Sequence, residues 1–529
     1  MYSVVKTYVP RGFSALEASL EVSILPGLPS FSMSGVREGQ RHEMENRLRA
    51  ALKNNGFRWP QGRIIVAISP AWLQKSGSSF DLPAAVGILE ASEQIVPRKK
   101  QEFAFMGELG LDACLRRVPG IFTCLELAAE KKQVIPVIPK ANKSDALSFP
   151  HCPIALAADL DEALAYCEGH KEAALPQADT TTREISRSEG SELLASFSGD
   201  SLIMLGLSLA LAGWHPFFLL GSPGSGKSML AELAVSLLPP LQEEDSYLLK
   251  KVYSAAEQRS CETFSEGQRP FLSPHHSVSA AALTGGGSPV IPGLFSLAHK
   301  GVLFLDELNE YEAGKIEALR EPLQNGEIVL ARGHDYVVLP ADFLLIAAAN
   351  PCRCGYFLEE NGRCHCTERE VKRYLSKVSG PIRDRFPIGL ILKQLSGSAL
   401  LETISQSDAK IKEAETLRKK ISEAQEVAYA RCRQQGLEPV LNGRCRCADL
   451  AEHWALPQDV LMLAKERAVR YHLSARSFRQ VLSLARTSAD LEGRTSVSRN
   501  DLDIAIYFKS NIEKNLAQAR LDREQSSSY

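Results

Sequence analysis

The sequence predicts a mixed α/β protein in three parts: an α/β domain, a second α/β domain built around a glycine-rich loop, and a helical domain. Three observations carry this. Up to about residue 165, short β-branched runs ("RIIVAIS", "QVIPVI") alternate with helical stretches such as "EMENRLRAALKNNG". From about 193 to 395 strands and helices alternate again, around the loop "GSPGSGKS". Thereafter charged amphipathic helices dominate, led by 408–435 and by "LSARSFRQVLSLARTSADLEG" with its helical period.

Taken in order, residues 1–167 form the first domain, and the polar segment 168–192, without hydrophobic period, reads as a linker. Residues 193–395 form the second domain, 396–515 the helical one, and 516–529, ending "REQSSSY", a disordered tail. The longest apolar stretch, "SLIMLGLSLALAGWHPFFLL", is broken by Gly206, Gly213, His215 and Pro216, so it reads as a buried helix followed by a strand rather than a membrane span. The start "MYSVVKTYVPRGF" carries no apolar run of signal-peptide length, and a cytoplasmic location is expected.

With 529 residues the chain exceeds one core, and its 44% hydrophobic and 23% charged residues are those of an ordinary globular protein. A net charge of −2 gives no global sign of a nucleic-acid binder, although binding needs only a local basic patch. In a reducing compartment the twelve cysteines point to free thiols or metal ligands rather than disulfides.

The loop Gly221, Ser222, Pro223, Gly224, Ser225, Gly226, Lys227, Ser228 lies between an apolar strand and an apolar helix. Its glycines let backbone N–H groups turn inward onto phosphate oxygens, with the positive helix end behind them. Lys227 is expected to reach the β and γ phosphates of ATP and Ser228 to ligate Mg²⁺. In "KGVLFLDELNE" a buried strand ends at Asp306, placed to hold the hydrated Mg²⁺, and at Glu307, placed as general base toward water. The strand "FLLIAAANP" ends at Asn350, whose neutral amide can orient that water.

Just beyond, "NPCRCGYFLEENGRCHC" holds Cys352, Cys354, Cys364 and Cys366 as two Cys-x-Cys pairs. Four thiolates so close in sequence suit a closed structural Zn²⁺ site; a metal-free insertion and redox pairing are the alternatives, with His365, Cys445 and Cys447 as further donors. Residues 325–343 read as a hairpin around "ARGHD", putting Arg332 and His334 near its tip. Adjacent His275 and His276 lack ligand spacing on a helix and read as loop residues.

The loop, "DE", Asn350 and a following "GPIRDRF" resemble AAA+ ATPases. The strings "RPFLSPHHSVSAAALTGGGS", "PGLFSLAHKGVLFLDEL", "NPCRCGY", "SGPIRDRF" and "LSARSFRQVLSLARTSADLEG" are similar to the magnesium-chelatase-like branch, and within it to the ComM/YifB group. "NRLRAALKNNGF" and "KSGSSFDLPAAVGIL" extend the resemblance to the N-terminal domain. It implies a homo-hexameric ring with ATP sites between subunits, acting in DNA branch migration during natural transformation, with recombination proteins as partners. It also implies Arg385 as arginine finger toward the neighbouring subunit's γ phosphate and Arg476 as the second sensor. The hairpin would face the pore, where Arg332 and His334 would meet DNA phosphates. A protein-remodelling ATPase, like magnesium chelatase's motor subunit, is the rival reading.

The first domain resembles the Lon-protease fold, with Ser79 of "KSGSSFDLP" at the nucleophile and Phe122 where a lysine base would stand. Lacking the base, Ser79 reads as a loop serine in a structural or partner-binding module. The chain departs from the group in three places. The helix before the loop lacks a Gln and a Lys, Leu294 follows Gly293 where an acid is usual, and Pro387 follows the finger motif.

Overall fold

The computed structural model describes residues 1–34, 38–71, 73, 79–97, 101–176, 200–256, 267–287, 290–332, 335–359, 363–393, 408–446 and 450–526. The chain divides into two compact units. The first comprises Met1–Arg183 with Glu243–Glu266 and Gly286–Pro292; the second comprises Glu184–Gln242, Gly267–Gly285 and Gly293–Tyr529.

In the first unit a seven-stranded sheet runs in the order Ser30–Met33, Arg63–Ser69, Ser14–Leu25, Tyr2–Arg11, Glu102–Phe105, Val134–Pro139, Ala155–Ala157. Two pairs, Tyr2–Arg11 with Ser14–Leu25 and Ser14–Leu25 with Arg63–Ser69, are antiparallel; the others are parallel. Along Arg63–Ser69 buried and less buried residues alternate, which puts Ile64, Val66 and Ile68 into the core. Helix Asp81–Ala91 is buried almost throughout, and its first residue, Asp81, accepts from Arg47 Nε at 2.9 Å and Nη2 at 3.2 Å.

Helix Glu243–Ala255, which the sequence reading counted within the second domain, clusters with this first unit. Its Tyr247 and Lys251 donate to Glu126 at 2.9 and 2.6 Å, the Gly120 N–H donates to the Ser254 carbonyl at 2.8 Å, and the Tyr247 ring meets Phe122 edge-on at 4.9 Å. Phe122 is fully buried among these aromatics, while Ser79 is half-buried; the residues 74–78 preceding it lie outside the described set.

The second unit holds a five-stranded parallel sheet in the order Phe271–Leu272, Val302–Leu305, Leu344–Ala349, Phe217–Gly221, Ile388–Leu392. Val302–Leu305, Leu344–Ala349 and Phe217–Gly221 are buried at every position, the continuous apolar run that a sheet covered on both faces requires. The stretch before the loop folds as expected into helix Ser201–Gly213 and strand Phe217–Gly221. Helices Asp408–Gln434, Gln458–Arg470, Ala475–Leu491 and Arg499–Ser526 complete the unit. They share one core with the sheet, in which Trp454 packs fully buried.

A polar network fastens the base of the loop strand to these helices. Fully buried Arg486 pairs with Asp490 at 2.9 Å, Asn442 Nδ2 donates to Asp490 at 2.8 Å, and His215 Nε2 lies 2.9 Å from Thr487 Oγ1. Burial, helped by the Arg444 charge, drives the His215 imidazole down to about 3, so it stays neutral.

The tail expected to be disordered over 516–529 is helical as far as Ser526. Its polar composition hides two contacts: Leu516 and Ala519 pack against the buried cluster of Cys352, Phe357 and Val371. Of the expected linker, residues up to 176 still belong to the first unit, with Ala174 bridged to Ile154, while 177–192 lie outside the described residues. Among the described residues no helix is long and apolar enough to cross a membrane.

Candidate functional site

All five strands of the second sheet run the same way, so the residues that end them gather along one edge, where ligands of open α/β sheets bind. Leu220 is paired with Ala349 and Leu305 with Ala347. This register brings the loop after Gly221, the acids after Leu305 and Asn350 to that edge.

Gly221 cannot carry a side chain, because a Cβ there would meet the Leu392 carbonyl oxygen at 2.5 Å and Ser225 Oγ at 2.7 Å. Gly224 and Gly226 have φ of +75° and +84°, the left-handed region that turns the loop back over the strand. Helix Lys227–Leu237 then starts with no side chain capping its first N–H groups. Ser225 Oγ is buried without a hydrogen-bond partner, a polar atom in need of one. Pro223 and Ser228 are exposed.

Lys227 is 9% exposed, and its Nζ donates to the carbonyls of Gly221 and Ser222, both at 2.9 Å, and to Asn350 Oδ1 at 3.1 Å. Burial lowers its pKa; the Asp306 and Glu307 carboxylates oppose that and favour the charged form. Glu307 adopts a left-handed φ of 49°, and its N–H donates to Asp306 Oδ1 at 2.8 Å. Its side chain stays about half exposed, with His276 Nδ1 at 3.9 Å from Oε2. The residues expected to carry hydrolysis, Lys227, Ser228, Asp306, Glu307 and Asn350, all follow strand ends at this one edge. The arrangement gathers an amine, two carboxylates and an amide, groups whose chemistry suits phosphate, a hydrated cation and water.

Arg385 and Arg476 belong to a second cluster. Arg385 is 7% exposed, and its Nη1 donates to the Pro381 carbonyl at 2.8 Å. Burial lowers its pKa, as do the charges of Arg476 and Arg320, against the pull of Glu317 and Asp384. Asp384 accepts from Ser474 at 2.9 Å and from Ser477, which ties the Arg385 segment to the start of the helix carrying exposed Arg476.

The hairpin expected over 325–343 forms from Glu327–Arg332 and Asp335–Pro340, antiparallel with Arg332 opposite Asp335; His334 lies outside the described residues. Two apolar residues of this hairpin point into solvent, Tyr336 at 76% and Val338 at 48% exposure. The sequence reading missed Tyr336, since an apolar run in a strand reads as buried.

The four thiols of Cys352, Cys354, Cys364 and Cys366 come together, all within 4.8 Å of one another. Burial pushes the Cys352 thiol up. At Cys354 burial also acts upward but is outweighed by the Tyr356 N–H and the neighbouring thiols, which hold it down to about 6. Of the further donors, His365 is exposed and not part of that group. Cys445 is buried in the main core of the unit, and Cys447 lies outside the described residues.

Three family models match the chain: magnesium chelatase, subunit ChlI, over residues 194–400; subunit ChlI of Mg-chelatase, over 20–142; and magnesium chelatase, subunit ChlI C-terminal, over 412–509. Uncharacterized protein YifB of Salmonella typhimurium is 34% identical over 96% of this chain and 97% of its own. Its namesake from Escherichia coli is 33% identical over the same shares, 96% and 97%. Competence protein ComM of Haemophilus influenzae is 32% identical over 96% of this chain and 98% of its own.

Proposed function

This chain belongs to the magnesium-chelatase ChlI family of AAA+-type ATPases, in the group of YifB and ComM, and from that premise we propose that it is an ATP-hydrolysing ring motor acting on DNA. The observation that carries the proposal is the meeting of the phosphate loop with Asp306, Glu307 and Asn350 at one sheet edge. On this reading the motor is a homo-hexamer that translocates on or branch-migrates DNA in recombination, alongside recombination-protein partners. Likeness to a competence protein along almost the full length of both chains supports it.

The loop N–H groups and Lys227 bind the β and γ phosphates of ATP. Mg²⁺, held by Ser228 and Asp306, would neutralise charge on those phosphates. Lys227 now donates to Asn350; when its amine turns to phosphate, the Asn350 amide is released to orient the attacking water. Glu307 takes that water's proton as its oxygen bonds to the γ phosphorus and the bond to the departing ADP breaks. Arg385 from the neighbouring copy, once turned from its own Pro381 carbonyl, stabilises the charge that develops, and Arg476 senses phosphate from the helical region. Zn²⁺ at the four thiols completes the cofactors of this reading as a structural ion.

Arg332 and His334 would contact DNA phosphates at the pore hairpin, and outward-facing Tyr336 offers a ring on which a base can stack. The test is ATP hydrolysis by the full chain with and without single-stranded or branched DNA. We expect stimulation, and loss of DNA affinity in Arg332→Ala and Tyr336→Ala. A rate indifferent to both DNAs would instead favour a motor that remodels a protein partner, the second reading, which the magnesium-chelatase family models support.

A further inference from the structure

We propose that the zinc held by Cys352, Cys354, Cys364 and Cys366 closes a loop that forms one wall of the phosphate loop, so that nucleotide affinity depends on the metal. The inference rests on the reading above of the thiols and of the phosphate loop.

The sulfur geometry comes first. Cys352 Sγ lies 3.3 Å from Cys354 Sγ and 3.8 Å from Cys364 Sγ, and Cys366 Sγ lies 3.6 Å from Cys354 Sγ. A disulfide would bring one pair to about 2.05 Å. A regular tetrahedron with Zn–S of about 2.3 Å has edges of about 3.8 Å, close to these spacings. Four sulfur donors leave no open position, the mark of a structural rather than a catalytic ion. An apolar shell of Phe357, Val371 and Leu516 surrounds fully buried Cys352 and keeps water off that side.

The loop that leaves the sheet at Asn350 and carries the thiols then touches the phosphate loop at three successive points. Asn350 accepts from Lys227 at 3.1 Å. Gly355, beside Cys354, has φ of +89° and lies so close that a Cβ would meet Pro223 Cδ at 2.5 Å. Glu359 Oε1 accepts from the hydroxyl of buried Ser222 at 2.5 Å. On the far side the helix after Cys366, Glu368–Leu375, continues to Tyr374, whose carbonyl accepts from Asn309, two residues past Glu307. The described residues 350–359 and 363–367 hold no helix or strand, and chain of that kind loses much entropy to be held in one shape. A four-fold thiolate cross-link supplies that restraint, and through it holds Pro223 and Ser222 in place for phosphate.

The experiment uses the purified full chain. Metal analysis should give about one zinc per chain, released by a mercurial thiol reagent into a chromophoric chelator. Binding of a fluorescent ATP analogue should weaken about tenfold or more on that release, and likewise in Cys364→Ser/Cys366→Ser, which should lose the metal. Glu359→Ala, which removes no sulfur donor, should keep its zinc and still bind the analogue several-fold more weakly, which covers the case in which the double variant does not fold. Less than half an equivalent of zinc, or iron in its place, overturns the metal site. Zinc-free chain that binds the analogue within twofold of the intact chain overturns the coupling. An intact, zinc-loaded chain that binds no nucleotide sinks the reading of the phosphate loop and the coupling with it, while the zinc content still decides the metal site.

Discussion

The five-stranded sheet of the second unit is parallel throughout, whereas the seven-stranded sheet of the first mixes antiparallel and parallel pairs. The first draws on β-branched runs such as Arg63–Ser69, the second on Leu-, Phe- and Ala-rich ones such as Phe217–Gly221 and Leu344–Ala349. In the parallel sheet every strand delivers its last residue to the same edge, so a lysine, two acids and an amide from distant parts of the chain share one place. On the helices that accompany the mixed sheet the buried charge is instead paired off: Asp81, on helix Asp81–Ala91, meets Arg47 of helix Glu38–Asn54 and is fully covered. The difference teaches that polar residues in a fold become a site when strand direction aligns them at an open edge, and become scaffold when a partner beside them satisfies them.

The comparison would break most visibly at Glu307. Glu307→Gln removes the proton acceptor but not the fold or the phosphate contacts. ATP turnover should fall about a hundredfold or more while binding of a fluorescent ATP analogue persists. If turnover survives, the parallel edge is not the active centre. Next is Arg47→Ala, which leaves Asp81 buried without its cation and should destabilise the first unit by about 3 kcal/mol in denaturant melts. ATP turnover per folded chain should stay the same, and a loss of it would mean that the mixed sheet does more than scaffold.

A smaller effect comes from pH. Burial raises the Asp81 carboxyl from 3.8 to about 6, with the Arg47 bond and charge acting against it. The folded chain therefore keeps this proton to higher pH than the unfolded one does. The stability this group contributes is present below 3.8 and is lost as pH rises toward about 6. Melting curves across that window should show a fall on the order of 1–3 kcal/mol that Asp81→Asn abolishes. The smallest effect is Ser79→Ala, which should change neither ATP turnover nor DNA affinity; loss of a measured peptidase activity in that variant would overturn the scaffold reading.

Much of this was legible because the decisive patterns are local. Glycines at set spacing before Lys227, and apolar runs ending in Asp306 and Asn350, announce an edge site without knowledge of the rest. The hairpin at Glu327–Arg332 and Asp335–Pro340 is local too. What was hidden depends on partners far along the chain. Helix Glu243–Ala255 shows an apolar face in sequence, but nothing in it says that Tyr247 will meet Phe122. The tail reads as disordered because two residues, Leu516 and Ala519, carry its packing. Glu359 looks like any exposed acid until the fold sets it on Ser222.

The placement of helix Glu243–Ala255 has a consequence for how the chain can be taken apart. The backbone leaves the first unit after Arg183, returns at Glu243, leaves after Glu266, and returns once more for Gly286–Pro292. A protease nick between 177 and 199 would therefore not yield two complete pieces. The fragment 1–176 would lack the helix that covers Phe122 and would expose an aromatic patch that aggregates. Stitched from three separate stretches of sequence, the N-terminal unit cannot be cut out whole as one continuous piece of chain, free of the ATPase unit.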